Sequence, residues 1–587
     1  MLKKILTTAS VILITANSYA AGFQTISNAD WDEGAVRRVL HAFAYGGQTN
    51  EKMIIKLAKM SPKAAIKKML TFGKSNGNIS KRAKIDAARL SKKTNGSLRG
   101  LGEFWSSDHS DNDVAENKRY KYSVALGTNV RPAELWLRAT VSHGLNPFRQ
   151  KVGIWETNYH MAVNLKSSVN AQQMLTYYDD VVKSLGNTKR AYDKTLTIAG
   201  TSAAVAEHYG HRNNVYKNYL CLCNEDFARE YFQLFFGILG DEDPDYHEEI
   251  TIKNTAKALT DMKIEYVSGQ GRVDHVTFGT EFHTPGTLDI LYSLNKGRNA
   301  LKRIKKLSKV AMYYHESRDN LPVIIISGLA DDNLSDADIA QIRAAWSSMK
   351  TKNLLSFLRA YAISTQFHNA SRVKYLTSID RRMLIYTQFI LNNAEIDRYY
   401  LPAYLREEQA YPFEPVHNVF GGQTGKEAAN SSDIFRAHYN SVTEKNYVFV
   451  KVAGSGNDTW RKDWASVLSK KLSIKYEVDK IGEFLWDRFI GDGLKNYATL
   501  ERAYVNSLLA SGKDLAYAID ANDLDRIFTT NELETDVNLI SLLEDFASTK
   551  MALKSKDDKE RQAANRNIGL AVSFILGTPY LFAREGR

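Results

Sequence analysis

Residues Cys221 to Asp261 read CLCNEDFAREYFQLFFGILGDEDPDYHEEITIKNTAKALTD and are the most informative part of the sequence for the fold. Near its start, Asn224 is a favourable N-cap residue, because its side chain can accept a hydrogen bond from a free N–H of the first helical turn. Glu225 and Asp226 then place negative charge where the helix dipole favours it. These residues predict that a helix begins here.

The residues after this N-cap have the spacing of one buried helix face. Apolar side chains recur at intervals of three and four residues, at Phe227, Tyr231, Leu234 and Phe235. Asp226 and Glu230 fall on the polar flank, one turn apart. After the turn at Gly240, a further helix is predicted to begin near His247.

A second regular helix is predicted to start at Asn146 and Pro147. Its buried face is marked by apolar side chains at i, i+4, i+7 and i+11, which are Phe148, Val152, Trp155 and Tyr159. Glu156 and His160 are one turn apart on the neighbouring face, so this helix also carries a pair of ionisable groups.

Five stretches of the chain resemble the domain of unknown function 1800 family, a group of exported bacterial proteins. The motif NEDFARE is similar to its "NENxARE" pattern through Asn224, Glu225, Ala228, Arg229 and Glu230, with Asp226 in place of the second Asn. The other four resemblances are RRVLHAFAYGG (Arg37–Gly47), KVGIWETNYH (Lys151–His160), FHTPGTLDIL (Phe282–Leu291) and TPYLFAREGR (Thr578–Arg587).

One of these stretches departs from the family pattern. The family element resembles "HDxGxK", and this chain keeps His283 and Gly286 but has Thr284 and Leu288 where the family has Asp and Lys. The resemblance implies no settled activity. It does imply an exported partner, because members of the family are often encoded beside the domain of unknown function 1501 family.

Composition favours a soluble, largely helical protein. The chain has 587 residues, of which 44% are hydrophobic and 25% are charged, and only 10 are proline. A chain of this length can bury a large core, and the scarcity of proline favours long helices.

The first twenty residues have the pattern of a secretory signal. Lys3 and Lys4 form a basic region, Ile5–Thr15 is apolar, and small residues precede an expected cleavage site after Ala20. This apolar segment is too short to span a bilayer, and no later segment is long and apolar enough. We therefore expect an exported protein, periplasmic or secreted, with no membrane span in the mature chain.

The charge balance bears on partners. The formal net charge is +12, and removal of Lys3 and Lys4 would leave the mature chain still basic. An exported basic protein meets anionic polysaccharide or an envelope surface rather than nucleic acid. The alternative is that the charge serves solubility alone.

The two cysteines, Cys221 and Cys223, are separated by one residue. So short a disulfide loop is unfavourable, and their Cα atoms would lie near the upper distance limit for a bridge. We expect two buried thiols, while a bridge, a redox role or a metal role stays open because the compartment is oxidising and a helix N-terminus follows.

The predicted fold class is mostly α, with one large multi-helical domain, a small β-hairpin and a loop-rich insertion. The expected boundaries are residues 1–20 for the signal, 21–398 for the main domain, 399–457 for the insertion and 458–587 for a C-terminal helical region. The hairpin is expected from Lys263–Val267 and Val273–Phe278, as the clear sheet of the first half. Seven basic residues between Lys296 and Lys309 predict a solvated helix face or an anion-binding patch.

Several catalytic motifs are absent from the sequence, namely HExxH, CxxCH, GxSxG and the P-loop. The polar groups that remain on the motif elements are candidate catalytic residues: Glu156, His160, Asp226, Glu230 and His283. Residues expected to support the motifs are Asn224, Glu225, Arg229 and Trp155.

These candidates allow three interpretations. They could hold a metal between helices, or they could act as acid and base if burial separates their pKa values. They could instead form a buried ion-pair network in which Arg229 neutralises Glu225 or Glu230 and His160 bonds Glu156. The sequence identifies neither a cofactor nor a metal.

Two hypotheses of function follow. The first is an exported binding or assembly protein that works with an envelope or extracellular partner. The second is a hydrolase that acts on an envelope or extracellular polymer through the carboxylate and histidine residues. Convergence of the candidates in one cleft, with free histidine nitrogens, favours the enzyme, and their separation favours binding.

Overall fold

The structure is a computed structural model, and part of the chain is described. The described residues are 22–47, 51–72, 132–141, 147–165, 168–187, 189–267, 271–389, 405–417, 421–443, 464–468, 476–491, 496–520 and 526–585. The predicted signal sequence lies outside them.

The fold is mostly α-helical, as predicted. In the N-terminal part the helices are Glu33–Ala44, Glu51–Ala58, Pro62–Met69, Pro132–Val141, Phe148–Trp155, Ala171–Leu185, Asp193–Gly200 and Ala203–His208. The middle of the chain forms helices Asp226–Phe236, Pro244–Tyr246, Lys253–Ala258, Ala300–Tyr313, His315–Leu329, Asp336–Ser348, Leu354–Ala362 and Ser378–Phe389. The C-terminal part forms helices Gly425–Ala429, Ser432–Thr443, Trp464–Val467, Val478–Ile490, Thr499–Ser511, Leu515–Ile519, Thr530–Thr535, Val537–Ser548 and Asp558–Gly577.

Strands occur only as short antiparallel pairs among the described residues. The predicted hairpin is present in two pieces, because Met262–Lys263 pairs with Thr277–Phe278 and Tyr266–Val267 pairs with Gly271–Arg272. The other pairs are Val215–Lys217 with Leu220–Leu222, Leu288–Ile290 with Ser293–Asn295, and Val373–Tyr375 with Ala583–Glu585. The expectation of a single clear sheet in the first half was therefore wrong.

The predicted helix that follows Asn224, which we call the motif helix, spans Asp226–Phe236. It begins later than expected, since Glu225 occupies the N-cap position without a side-chain hydrogen bond. Asn224 still supports this end, because its Oδ1 accepts from the backbone N–H of Asp226 at 2.8 Å. The helix ends at Gly237, whose positive φ of 66° suits a glycine.

The helix that begins at Phe148 continues as a π-helix over Glu156–His160, and we call the whole segment Phe148–His160 the core helix. It packs against the motif helix, with the rings of His160 and Phe235 6.3 Å apart. Phe227, Tyr231 and Phe235 of the motif helix are fully buried in the same hydrophobic core. No described helix has the length and apolarity needed to cross a membrane.

The cysteines differ from the expectation of two thiols. Cys221 and Cys223 form a disulfide, with Cα atoms 5.3 Å apart. The segment Leu220–Leu222 is extended, and side chains two residues apart in extended backbone point to the same side. This distance between the Cα atoms lies within the usual range for a disulfide, and not at its upper limit as we expected.

The range 399–457, predicted as a loop-rich insertion, is described only in residues 405–417 and 421–443. These residues include the helices Gly425–Ala429 and Ser432–Thr443. Thr424 and Glu427 form a capping box at the start of the first of these helices.

Candidate functional site

A cavity of about 340 Å³ lies beside the core helix, and we call it the central cavity. Its walls come from the core helix, from Gln233 and Leu234 of the motif helix, and from the helix His315–Leu329. The remaining walls come from Tyr45, from Asp332, from the segment Lys374 to Asp380 and from the segment Gly422 to Gly425. The charged and hydroxyl-bearing residues in the lining are Lys151, Asp332, Lys374, Asp380, Ser327, Thr377, Thr424, Tyr45 and Tyr159.

The π-helical turn Glu156–His160 shapes one wall of this cavity. Asn158 anchors the turn, since its carbonyl accepts from Gly422 N at 2.7 Å and its Oδ1 accepts from Phe413 N at 2.8 Å. A Cβ atom at Gly422 would lie 2.7 Å from Cε1 of Tyr159, so a glycine allows this close approach. Wide helical turns of this kind often occur at functional sites.

His160 is held by two buried partners. Its Nδ1 lies 2.9 Å from Glu156 Oε2 and 3.1 Å from the Tyr192 hydroxyl, which itself donates to Glu156 Oε1 at 2.6 Å. The indole of Trp155 stacks on the His160 ring at 4.9 Å. Burial and the neighbouring Glu156 raise the pKa of Tyr192, so this hydroxyl stays a donor.

The other ring nitrogen of His160 is free. The side chain is only 1% exposed, and Nε2 has no hydrogen-bond partner among the described residues. A carboxylate only accepts hydrogen bonds, so with Nδ1 as the donor to Glu156 the neutral tautomer of His160 would present Nε2 as an acceptor. His160 is one of the residues that line the cavity, so its unpartnered Nε2 lies close to the cavity wall.

Two ion pairs complete the polar part of the cavity. Lys151 Nζ lies 2.6 Å from Asp380 Oδ1, and Lys374 Nζ lies 2.9 Å from Asp332 Oδ1. Burial lowers the pKa of Lys374, while the nearby Asp332 carboxylate opposes that shift. The two lysines and the two aspartates cancel, so the lining carries no net formal charge when His160 is neutral.

The described residues do not include a group of three or more His, Cys, Asp or Glu side chains arranged to hold a metal ion.

The central cavity offers both hydrogen-bond donors and hydrogen-bond acceptors. Residues such as Tyr45, Trp155 and Leu234 give it apolar and aromatic walls. Such a lining suits a polar organic molecule.

Residues 38–394, more than half of the chain, match the family described as "Protein of unknown function (DUF1800)". The chain belongs to this family. No curated protein and no solved structure matches it.

The match to the DUF1800 family covers most of the central cavity. It includes the core helix, the motif helix, and the residues Asp332, Lys374 and Asp380. The loop at Gly422 and Gly425 lies beyond the matched residues.

The structure separates the five candidate residues of this DUF1800 chain into different places. Glu156 and His160 contact each other, and His160 lines the central cavity, whereas Glu156, Asp226, Glu230 and His283 are not among its lining residues. Asp226 begins the motif helix, and Glu230 is half-buried, which raises its pKa.

His283 lies instead beside the chain turn at Thr260. Its Nδ1 is 3.0 Å from the Thr260 carbonyl oxygen, and burial lowers its pKa. The backbone N–H of Thr284 donates to Thr260 Oγ1 at 2.9 Å. These contacts join the turn at Thr260 to His283 and Thr284.

Arg229 does not have the expected partner. It forms an ion pair with Glu248 of the π-helix His247–Ile252, at 2.6 Å, rather than with Glu225 or Glu230. The pair spans two helical elements, because the turn near Gly240 folds the residues after it back along the motif helix. Trp155, in contrast, supports His160 through the stacked rings.

The two ion pairs of the central cavity were not predicted from the sequence. The position of Lys151 was predictable, since Lys151, Trp155 and Tyr159 recur at intervals of four residues and so share a helix face. Asp380 lies 229 residues from Lys151 in the sequence, and no local pattern connects them.

Proposed function

We propose that this DUF1800 protein is an exported binding protein that holds a polar, uncharged ligand in the central cavity. The observation that carries the proposal is the free Nε2 of His160, a buried polar atom beside a cavity. A buried polar atom without a partner is costly, and a ligand that pairs with it regains that free energy.

The lining favours a polyhydroxylated ligand such as a sugar residue. The lysine and aspartate charges cancel, so a ligand with a net charge would lack a counter-charge. Sugar hydroxyls both donate and accept, which matches a cavity that offers ammonium, carboxylate, hydroxyl and imidazole groups together. Aromatic side chains such as Tyr45 and Tyr159 can contact the apolar faces of a sugar ring.

The cellular setting of the proposal comes from the sequence. The signal pattern at residues 1–20 supports export to the periplasm or the exterior. There the ligand would belong to an envelope or extracellular polymer. Resemblance to the DUF1800 family also supports an exported protein partner of the domain of unknown function 1501 family.

Binding is tested with a panel of neutral monosaccharides and oligosaccharides. We expect at least one to raise the melting temperature of the purified protein and to give a saturable isotherm in calorimetry. His160→Gln should weaken that binding about ten-fold or more, while His417→Gln, which alters an exposed histidine outside the cavity, should not. No binding by any neutral sugar, or equal binding by His160→Gln, would contradict the proposal.

A second candidate function is a hydrolase acting on such a polymer. It is favoured by the Glu156–His160 pair, since a carboxylate that orients Nδ1 leaves Nε2 able to accept a proton from an attacking water. The separation of Asp226, Glu230 and His283 from this pair places the enzyme second. Release of reducing ends from an envelope polysaccharide, abolished by Glu156→Gln with binding retained, would put it first.

A further inference from the structure

A second concave surface lies away from the central cavity. It is an open groove of about 590 Å³, and it is lined by residues that precede and begin the helix Asp193–Gly200, together with Lys305 and Thr351. Four of its lining residues are basic and none is acidic. We call these four, Lys189, Arg190, Lys194 and Lys305, the basic groove.

Most of this positive charge is not paired with a carboxylate in the part of the chain that the structure describes. Lys194 pairs with Asp193 at 2.8 Å. Lys189, Arg190 and Lys305 have no carboxylate within ion-pair distance among the described residues. Arg190 instead has a hydroxyl neighbour, Ser184 Oγ, at 3.4 Å.

The helix Ala300–Tyr313 extends the charge beyond the groove. Lys302, Lys305, Lys306 and Lys309 are exposed and have the i, i+3, i+4, i+7 spacing of a single helix face. These lysines cover about 10 Å of helix axis, at 1.5 Å per residue. Arg303 was predicted to lie on the solvated face, but it is buried. Its guanidinium donates to the carbonyls of Thr284 and Gly286, each at 2.8 Å.

We propose that the basic groove and this lysine face bind an anionic polysaccharide, with carboxylate or sulfate groups spaced along the polymer. Several unpaired cations on neighbouring elements match repeated charges on one chain better than a single small anion. A groove accommodates a linear polymer. A membrane surface would also need apolar side chains to insert, and Tyr313 is the one large apolar residue of this helix that is exposed.

This inference extends the proposed function by a second site and relies on it only for the exported setting. The groove shares no lining residue with the central cavity. The two sites can therefore be tested separately in the same protein.

The test uses the purified protein, alginate as the polyanion and unmodified dextran as the neutral polymer. We expect alginate to bind, dextran not to bind at the groove, and the affinity for alginate to fall steeply with salt. Lys189→Gln/Arg190→Gln/Lys305→Gln should weaken alginate binding about ten-fold or more. A control variant, Lys550→Gln/Lys556→Gln/Lys559→Gln, removes the same charge from exposed positions elsewhere and should change it little.

Equal losses in the two variants would overturn the inference, because binding would then follow net charge alone. It would also be overturned if the groove variant bound alginate like the wild type, or if anionic lipid vesicles bound more tightly than alginate through the same three residues. Folding of each variant is checked by its melting temperature. Binding of the neutral sugar should be unchanged in the groove variant, so loss of polyanion binding is distinguishable from failure of the cavity proposal.

Discussion

The Nζ atom of Lys151 lies 2.6 Å from Oδ1 of Asp380, although 229 residues separate them in the sequence. Both side chains are almost fully buried, at 5% and 11% exposure. The pair joins the core helix to the helix Ser378–Phe389 at the wall of the central cavity.

Removal of one member of this ion pair should destabilise the folded protein. Lys151→Met leaves the Asp380 carboxylate buried without its cation, and we expect the free energy of unfolding to fall by about 3–5 kcal/mol. Lys151→Met/Asp380→Leu should recover part of that loss. Urea denaturation of the two variants measures both values.

An exposed pair supplies the control. Lys253 and Glu249 form an ion pair one helical turn apart, with side chains 43% and 68% exposed. Lys253→Met should change stability little, because water and salt already screen this pair. Equal effects at the buried and exposed pairs would show that Lys151 and Asp380 are not coupled as described.

The hydroxyl of Tyr192 should contribute more to the free energy of unfolding than an ordinary buried hydroxyl. It donates to the carboxylate of Glu156 at 2.6 Å, whereas the hydroxyl of Tyr177 donates to the neutral carbonyl of Met161 at 2.8 Å. Tyr192→Phe should lower the free energy of unfolding by about 1.5–3 kcal/mol, and Tyr177→Phe by about 1 kcal/mol. The reverse order would argue against a hydrogen bond from Tyr192 to the Glu156 carboxylate.

Gly328 should resist substitution by alanine. In the interior of most helices alanine is favoured over glycine by about 1 kcal/mol. At Gly328, however, an added Cβ would lie 2.3 Å from Nε1 of Trp155 and must displace the indole that stacks on His160.

We therefore expect Gly328→Ala to destabilise the protein and to shift its tryptophan fluorescence. Gly577, in the helix Asp558–Gly577, is the control, since a Cβ there would meet no atom nearer than 3.3 Å. If Gly328→Ala were as well tolerated as Gly577→Ala, the packing of Trp155 against that helix would be wrong.

His211 should contribute a defined pH dependence. It is fully buried against the ring of Phe227 at 4.1 Å, and burial lowers its pKa to about 3. The unfolded chain binds this proton below about pH 6.5 and the folded protein does not, so stability is lost as the pH falls from about 6.5 to 3.

His211→Phe removes this titration and keeps a ring against Phe227. Between pH 6 and pH 5, the wild type should lose about 1 kcal/mol more than His211→Phe in urea denaturation. His417→Gln, at an exposed histidine, should behave like the wild type. Parallel pH profiles for the wild type and His211→Phe would contradict a buried neutral His211.

Local patterns in the sequence were enough to predict the mostly helical fold class and the two motif-bearing helices. The spacing of Phe227, Tyr231 and Phe235 identified the buried face, because side chains one turn apart share a helix surface. The boundary at Asn224 was early because capping residues specify a helix end only to within a residue or two.

The site was only partly predictable. Glu156 and His160 are one turn apart, so their contact followed from the helical repeat. The separate location of Asp226, Glu230 and His283 depends on how the elements pack, which residue spacing does not encode. The same holds for the pairing of Arg229 with Glu248 across a turn.

The most direct measurement is a crystal structure of the protein with the neutral sugar that most raises its melting temperature. We predict that the sugar occupies the central cavity, with a hydroxyl donating to Nε2 of His160 and others contacting Lys151 or Asp380. A sugar bound elsewhere, with Nε2 of His160 facing water alone, would contradict it.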